Sequence, residues 1–89
     1  MMKTNGIKEL KKIFEQFNGE DAVINLSHRL YGDQKVRCKL NFFIDDNKVG
    51  VRVKNGQELY VYRQNLYVDV IENGILLADD MLRISICVV

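Results

Sequence analysis

Few side chains in this sequence have the types and spacing for covalent chemistry. The one histidine, His28, and the two cysteines, Cys38 and Cys87, fall in separate runs, and no CxxC or Cys/His cluster offers a zinc site. Asp45-Asp46 and Asp79-Asp80 are adjacent pairs, and neighbours at a strand end point to opposite sides, so they read as turn caps rather than as a shared-proton dyad. The glycines form neither a GxxxxGK[ST] loop nor a GxGxxG fingerprint. Without a nucleophile beside a base, paired carboxylates or a metal cluster, we expect no enzyme, no metal and no small-molecule cofactor. What the sequence does offer is cations interleaved with aromatics: Arg37, Lys39, Arg52, Tyr60, Tyr62 and Arg63. That combination suits noncovalent recognition, with cations meeting phosphates and rings stacking on bases.

The elements that must position these residues are set by a change of period. From Ile7, apolar residues recur as Leu10, Ile13, Phe14 and Phe17 with charged residues between them, which predicts one amphipathic helix over residues 4–18. Thr4 or Asn5 caps its start and Asn18-Gly19 its end. Beyond Gly19 the period becomes two. Ala22, Ile24, Leu26, His28 and Leu30 share one face of the first strand. Val36, Cys38, Leu40, Phe42 and Ile44 point inward from the second, leaving Arg37, Lys39, Asn41 and Phe43 outside. Val49, Val51 and Val53 line the third, Leu59 and Val61 the fourth, and Leu66, Val68 and Val70 continue the alternation. After Asn73-Gly74, Ile75 and Leu77 return, and Leu82, Ile84, Ile86 and Val88 end the pattern. The expected fold is mainly β: an N-terminal helix followed by five or six antiparallel strands in a strongly bent sheet or small barrel, one domain over residues 1–89. On this phase His28 reads as buried, and both cysteines, alternating with apolar neighbours in strand-like runs, read as reduced buried thiols.

Register decides which outward residues meet. A two-residue turn at Asn55-Gly56 would set Val53 opposite Glu58 and mismatch their faces, so a three-residue loop Asn55-Gly56-Gln57 is expected, with Lys54 opposite Glu58. Lys39 then lies beside Lys54 and Glu58; Asn41, Arg52 and Tyr60 form the next row, and Phe43, Gly50 and Tyr62 the one after it. Such a surface fits single-stranded nucleic acid. It equally fits a protein-interaction or assembly module with no nucleic-acid role, because tyrosine favours strands and interfaces alike.

The order helix, Asn18-Gly19, bent strands resembles the Sm-like superfamily, and its Hfq-like branch in particular, over roughly residues 7–70. Leu59-Tyr60-Val61-Tyr62-Arg63-Gln64-Asn65-Leu66 looks like the second Sm motif, and Phe43-Ile44-Asp45 with the segment to Lys54 looks like the first. The resemblance implies a non-enzymatic module that self-associates into a homo-oligomer and binds single-stranded RNA. It implies a uridine-type pocket drawing on Asp45, Asp46, Asn47, Tyr62, Arg63 and Gln64. Asn47 stands near the place of the loop aromatic that stacks on the base, and Gln64 where a glycine or histidine follows the basic residue. The segment 72–89 exceeds the usual five strands and, with Asn65–Val68, distantly resembles the YabP-type sporulation family. By covering a sheet edge it would favour a monomer instead.

Composition bounds these expectations. A formal net charge of +1 gives no global field for a polyanion, so nucleic-acid binding must rest on a local patch. The charged N-terminal helix has no unbroken apolar stretch, which predicts a cytoplasmic chain with no signal peptide and no membrane partner.

Overall fold

A computed structural model describes residues 7–89. Helix α1 runs Ile7–Phe17, so the start expected at residue 4 and its Thr4 or Asn5 cap lie outside the described residues. Leu10 and Phe14 are buried in the core, while Lys8, Glu9, Lys11, Lys12, Glu15 and Gln16 face solvent. The helix stops at Asn18-Gly19, where Gly19 takes φ +88 and turns the chain into the first strand.

Eight strands follow, rather than five or six: β1 Asp21–His28, β2 Gly32–Lys39, β3 Phe42–Ile44, β4 Lys48–Arg52, β5 Glu58–Tyr62, β6 Tyr67–Ile71, β7 Gly74–Ala78 and β8 Leu82–Val88. The single strand expected over residues 36–44 divides at Leu40-Asn41, its two parts joining different sheets. One sheet has the order β2-β1-β8-β7-β6 and the other β3-β4-β5, all ladders antiparallel. The sheets do not close into a barrel. Near the β5–β8 corner the Tyr62 N–H is taken by the Asp79 carboxylate at 2.9 Å, and a 3₁₀ turn, Arg63–Asn65, then carries the chain to β6. The C-terminal segment covers an edge, since β8 pairs with the side of β1 that β2 leaves open. The uncovered edges of this sheet are therefore β2 and β6.

Inward residues of both sheets and of α1 form one apolar cluster that includes Ile24, Val49, Val51, Val61, Ile75, Leu77, Ile84 and Ile86, all fully buried. The inward phase fails at three points. The first strand ends at His28, which leaves Leu30 exposed; Val70, near the end of edge strand β6, is exposed too. Phe43 is buried although it faces away from the core cluster, because Arg52 covers it.

The β4–β5 connection has the expected three-residue length but sits one residue earlier. Val53 N–H donates to Gln57 O and Gly56 N–H to Val53 O, which leaves Lys54-Asn55-Gly56 as the loop with Gly56 at φ +88. Arg52 consequently faces Glu58, Gly50 faces Tyr60 and Lys48 faces Tyr62. This slip of two keeps every side chain on its expected face while changing its neighbours.

Gly50 is where β4 lies closest to its partner. A Cβ there would overlap the Leu59 carbonyl oxygen and come within 2.7 Å of Tyr60 Cα, both rigid backbone atoms. Gly50→Ala is expected to cost about 3 kcal/mol of unfolding free energy. Urea unfolding of the two proteins checks it.

Candidate nucleic-acid interface

The outward face of β3-β4-β5 is organised by one carboxylate. Glu58 Oε1 accepts from Lys48 Nζ at 2.9 Å, and Glu58 Oε2 accepts from Arg52 Nη2 at 3.0 Å and Nε at 3.2 Å. Both cations also lie on rings, Lys48 Nζ 4.5 Å from the Tyr60 centroid and Arg52 Cζ 4.9 Å from that of Phe43. Gly50, between Lys48 and Arg52 on the same face, carries no side chain to separate them. Tyr60 meets Tyr62 edge to face at 5.4 Å, and of the pair Tyr62 is the open one, 56 % exposed. Arg52 and Tyr60 thus share a face as expected. The ring surface available for stacking is narrower than the row pattern implied, since Phe43 is covered and Tyr60 is partly capped.

The residues matched to the Sm motifs divide between framework and surface. Asp45 Oδ1 accepts from Asn47 N at 3.0 Å and Lys48 N at 2.9 Å, and these backbone donors, Asn47 first, hold its carboxyl below the usual carboxylate value. Arg63 donates from Nη1 to Asp45 O at 2.7 Å and from its backbone N–H to Asn47 O at 2.8 Å. The β3–β4 turn and the 3₁₀ turn are therefore adjacent, with Asp45 and Arg63 engaged in bracing them. Gln64 and Asp46 are exposed beside them. Asp79 caps its own turn, Oδ1 accepting from Met81 N and Leu82 N.

Arg37, Lys39 and Arg52 meet elsewhere. They line an open groove of about 1250 Å³ where β2 passes into β3 beside the β4–β5 loop, and Lys54 completes the set. Asn18 and Asn41 add polar lining, and Asp21 is the only carboxylate there among the described residues. The bend at Leu40-Asn41 creates this groove by swinging Arg37 and Lys39 out on one sheet while Arg52 and Lys54 follow the other. Sequence reasoning placed Lys54 next to Lys39 by row but did not count it as a binding residue; the available signal was its place beside Asn55-Gly56 at a loop tip.

The remaining reactive side chains are structural. Cys38 is half-buried against the core, and burial pushes its thiol above the ordinary 9.0, which disfavours the thiolate a nucleophile needs. Cys87 lies half-exposed on the outer face of the larger sheet. His28 Nδ1 accepts from Leu30 N at 3.0 Å and Tyr31 N at 3.3 Å, fixing the β1–β2 turn rather than sitting in the core. Among the described residues no group of three or more His, Cys, Asp or Glu converges as a metal site, and no helix is long and apolar enough to cross a membrane.

Glu58 gives the site a pH signature. Its hydrogen bond from Lys48, then that from Arg52, lowers its carboxyl below the ordinary 4.5. A carboxyl depressed on folding contributes stability that is present above its unfolded pKa and lost as pH falls through the lower folded value. Wild type is therefore expected to melt above Glu58→Gln at neutral pH, with the gap closing as pH drops below 4.5. Thermal melts of both proteins across that range check the sign.

Compared with protein-family models, with curated proteins and with solved structures, the chain matches none.

Proposed function

We propose that this chain is a non-catalytic module that binds single-stranded RNA, the phosphate backbone following the groove between β2 and the β4–β5 loop. The observation that carries this reading is the concentration of charge. Arg37, Lys39, Arg52 and Lys54 line one groove with the single carboxylate Asp21, in a chain whose formal net charge is only +1. Arg37, Lys39 and Lys54 are exposed, which leaves their charge accessible to a polyanion. From Arg52, the outward phase of β4 leads past Gly50 to Lys48 and the exposed Tyr62, about 13 Å along the strand. A strand lying in the groove can thus extend a base toward an open ring, in keeping with the likeness to Sm-like proteins.

A second reading, a partner-docking module with no nucleic-acid role, draws on a different place. At the tip of the β1–β2 hairpin Leu30 is 72 % and Tyr31 84 % exposed, and Arg29 N–H bonds to Met81 O, bringing a further exposed apolar residue beside them.

Salt separates the two. Fluorescence anisotropy with labelled oligouridine and oligoadenine should show binding in the micromolar range that weakens about twentyfold to fiftyfold between 50 and 200 mM salt, the response of three or four neutralised phosphates. Arg37→Glu with Lys39→Glu should weaken it by about tenfold or more, and Tyr62→Ala should weaken it further if a base stacks there. No binding at tens of micromolar protein, or binding indifferent to salt and to these charges, would remove the RNA reading in favour of apolar docking.

A further inference from the structure

Among the described residues, nothing packs on one side of the larger sheet. Val23, Ile71, Leu76, Ala78 and Cys87 point away from the interior and are half-exposed, and they belong neither to the core cluster nor to the apolar residues packed against it. The described part of α1 contributes its apolar residues to the core, not to this side. Register arranges the face in rows across all five strands. One row reads Lys35, Asn25, Ser85, Leu76, Asp69 and the next Arg37, Val23, Cys87, Gly74, Ile71, from β2 to β6 in each case.

We propose that a second copy of this chain packs on this face, about a two-fold axis running parallel to the strands along β8. Such an axis reverses strand order without shifting rows, so β2 of one copy covers β6 of the other. Lys35 then meets Asp69 of the second copy, and symmetry makes that ion pair twice. In the adjoining row Val23 meets Gly74, which has no side chain and could not take one because a Cβ would overlap the Ile86 carbonyl oxygen, and Arg37 comes over Ile71. The small residues Ser85 and Cys87 fall on the axis, where the two sheets come closest. A two-fold axis across the strands at this row would instead set Lys35 over Lys35 and Asp69 over Asp69, with Arg37 over Asp33, and the like-charge pairs in its central row favour the first arrangement. Arg83, one row out from Ser85 toward the start of β8, falls on the axis as well, opposite its own copy, and its long side chain must turn out past the rim to reach water.

Size and edge chemistry agree with this choice. Five strands at about 4.8 Å spacing and about 20 Å of strand length give about 1,000 Å² over the two copies, where specific interfaces begin. Addition at the β2 edge is disfavoured, because Lys35, Arg37 and Lys39 along it are the residue types that blunt edge pairing. The inference goes beyond the RNA reading, and Lys35 and Asp69 do not line the groove, so either can fail without the other.

A reciprocal charge swap tests it. Within one chain Lys35 and Asp69 sit four strands apart in the sheet, about 19 Å, too far for a direct pair. Any rescue must therefore pass between copies. Analytical ultracentrifugation of the full chain at about 100 µM should show a dimer, weakened about tenfold in Kd by Lys35→Glu or by Asp69→Lys alone and restored when both are combined, with thermal melts confirming that each variant folds. A monomeric wild type, single variants that dimerise as well as wild type, or a double variant no better than the singles would overturn the proposal. Unaltered dimerisation in the single variants would point to the strand edges or the hairpin tip instead.

Discussion

Leu40 holds the two sheets in one molecule. Its N–H donates to Glu20 O at 2.8 Å and its carbonyl accepts from Gly19 N at 2.9 Å, which ties the joint to the chain leaving the helix. Two residues on, Phe42 N–H is taken by Asn18 Oδ1 at 2.9 Å, and the Phe42 ring stacks on Phe14 at 4.1 Å. The backbone groups freed by leaving one ladder for another are thus satisfied by the helix end, at the point where an unpaired buried amide would be costly. The fold depends on this bend. It sets β3-β4-β5 across the core from the five-stranded sheet, and it opens the groove on the other side.

Alternation reveals a face and not a partner. Leu40 and Phe42 keep the inward phase on both sides of the bend, so the break between β2 and β3 left no trace in the period and one strand was expected where two exist. The same insensitivity hid the register. Lys54-Asn55-Gly56 and Asn55-Gly56-Gln57 both contain the turn-forming pair and both preserve faces, and the decision falls on which residue takes the left-handed conformation, here Gly56 in the last loop position. Closure was beyond reach for a related reason. Whether the last strand pairs with β1 or completes a barrel depends on the 3₁₀ turn after Tyr62 and on Asp79 taking the Tyr62 amide, neither of which has a periodic signature. The helix, the switch to strands and the core residues were legible because burial imposes them at every second or third position.

At the site, outward phase correctly put Arg52 and Tyr60 on one face, though not in one row, and Lys39 beside Lys54. It could not say which cations were already committed. Glu58 stands between Lys48 and Arg52 and engages both, and Phe43, counted among the outward aromatics, is roofed by one of them. A cation held in such a pair is a poorer phosphate ligand than a free one, because binding must first break or share an existing charge-assisted bond. The groove cations Arg37, Lys39 and Lys54 carry no such partner among the described ion pairs, so the groove offers a polyanion freer charge than the tyrosine rows do.

The near-neutral total therefore conceals a segregated surface. Cations run down β2 and around the adjoining loop, while Asp69 marks the opposite edge of the same sheet. Within one chain this separation brings no stabilisation, since charges that far apart are screened from each other. It has consequences only for what arrives from outside. On the proposed readings a polyanion would be drawn to one margin and a second copy would be oriented by both, so the charge pattern distinguishes ways of binding that the apolar core, alike under either, leaves undetermined.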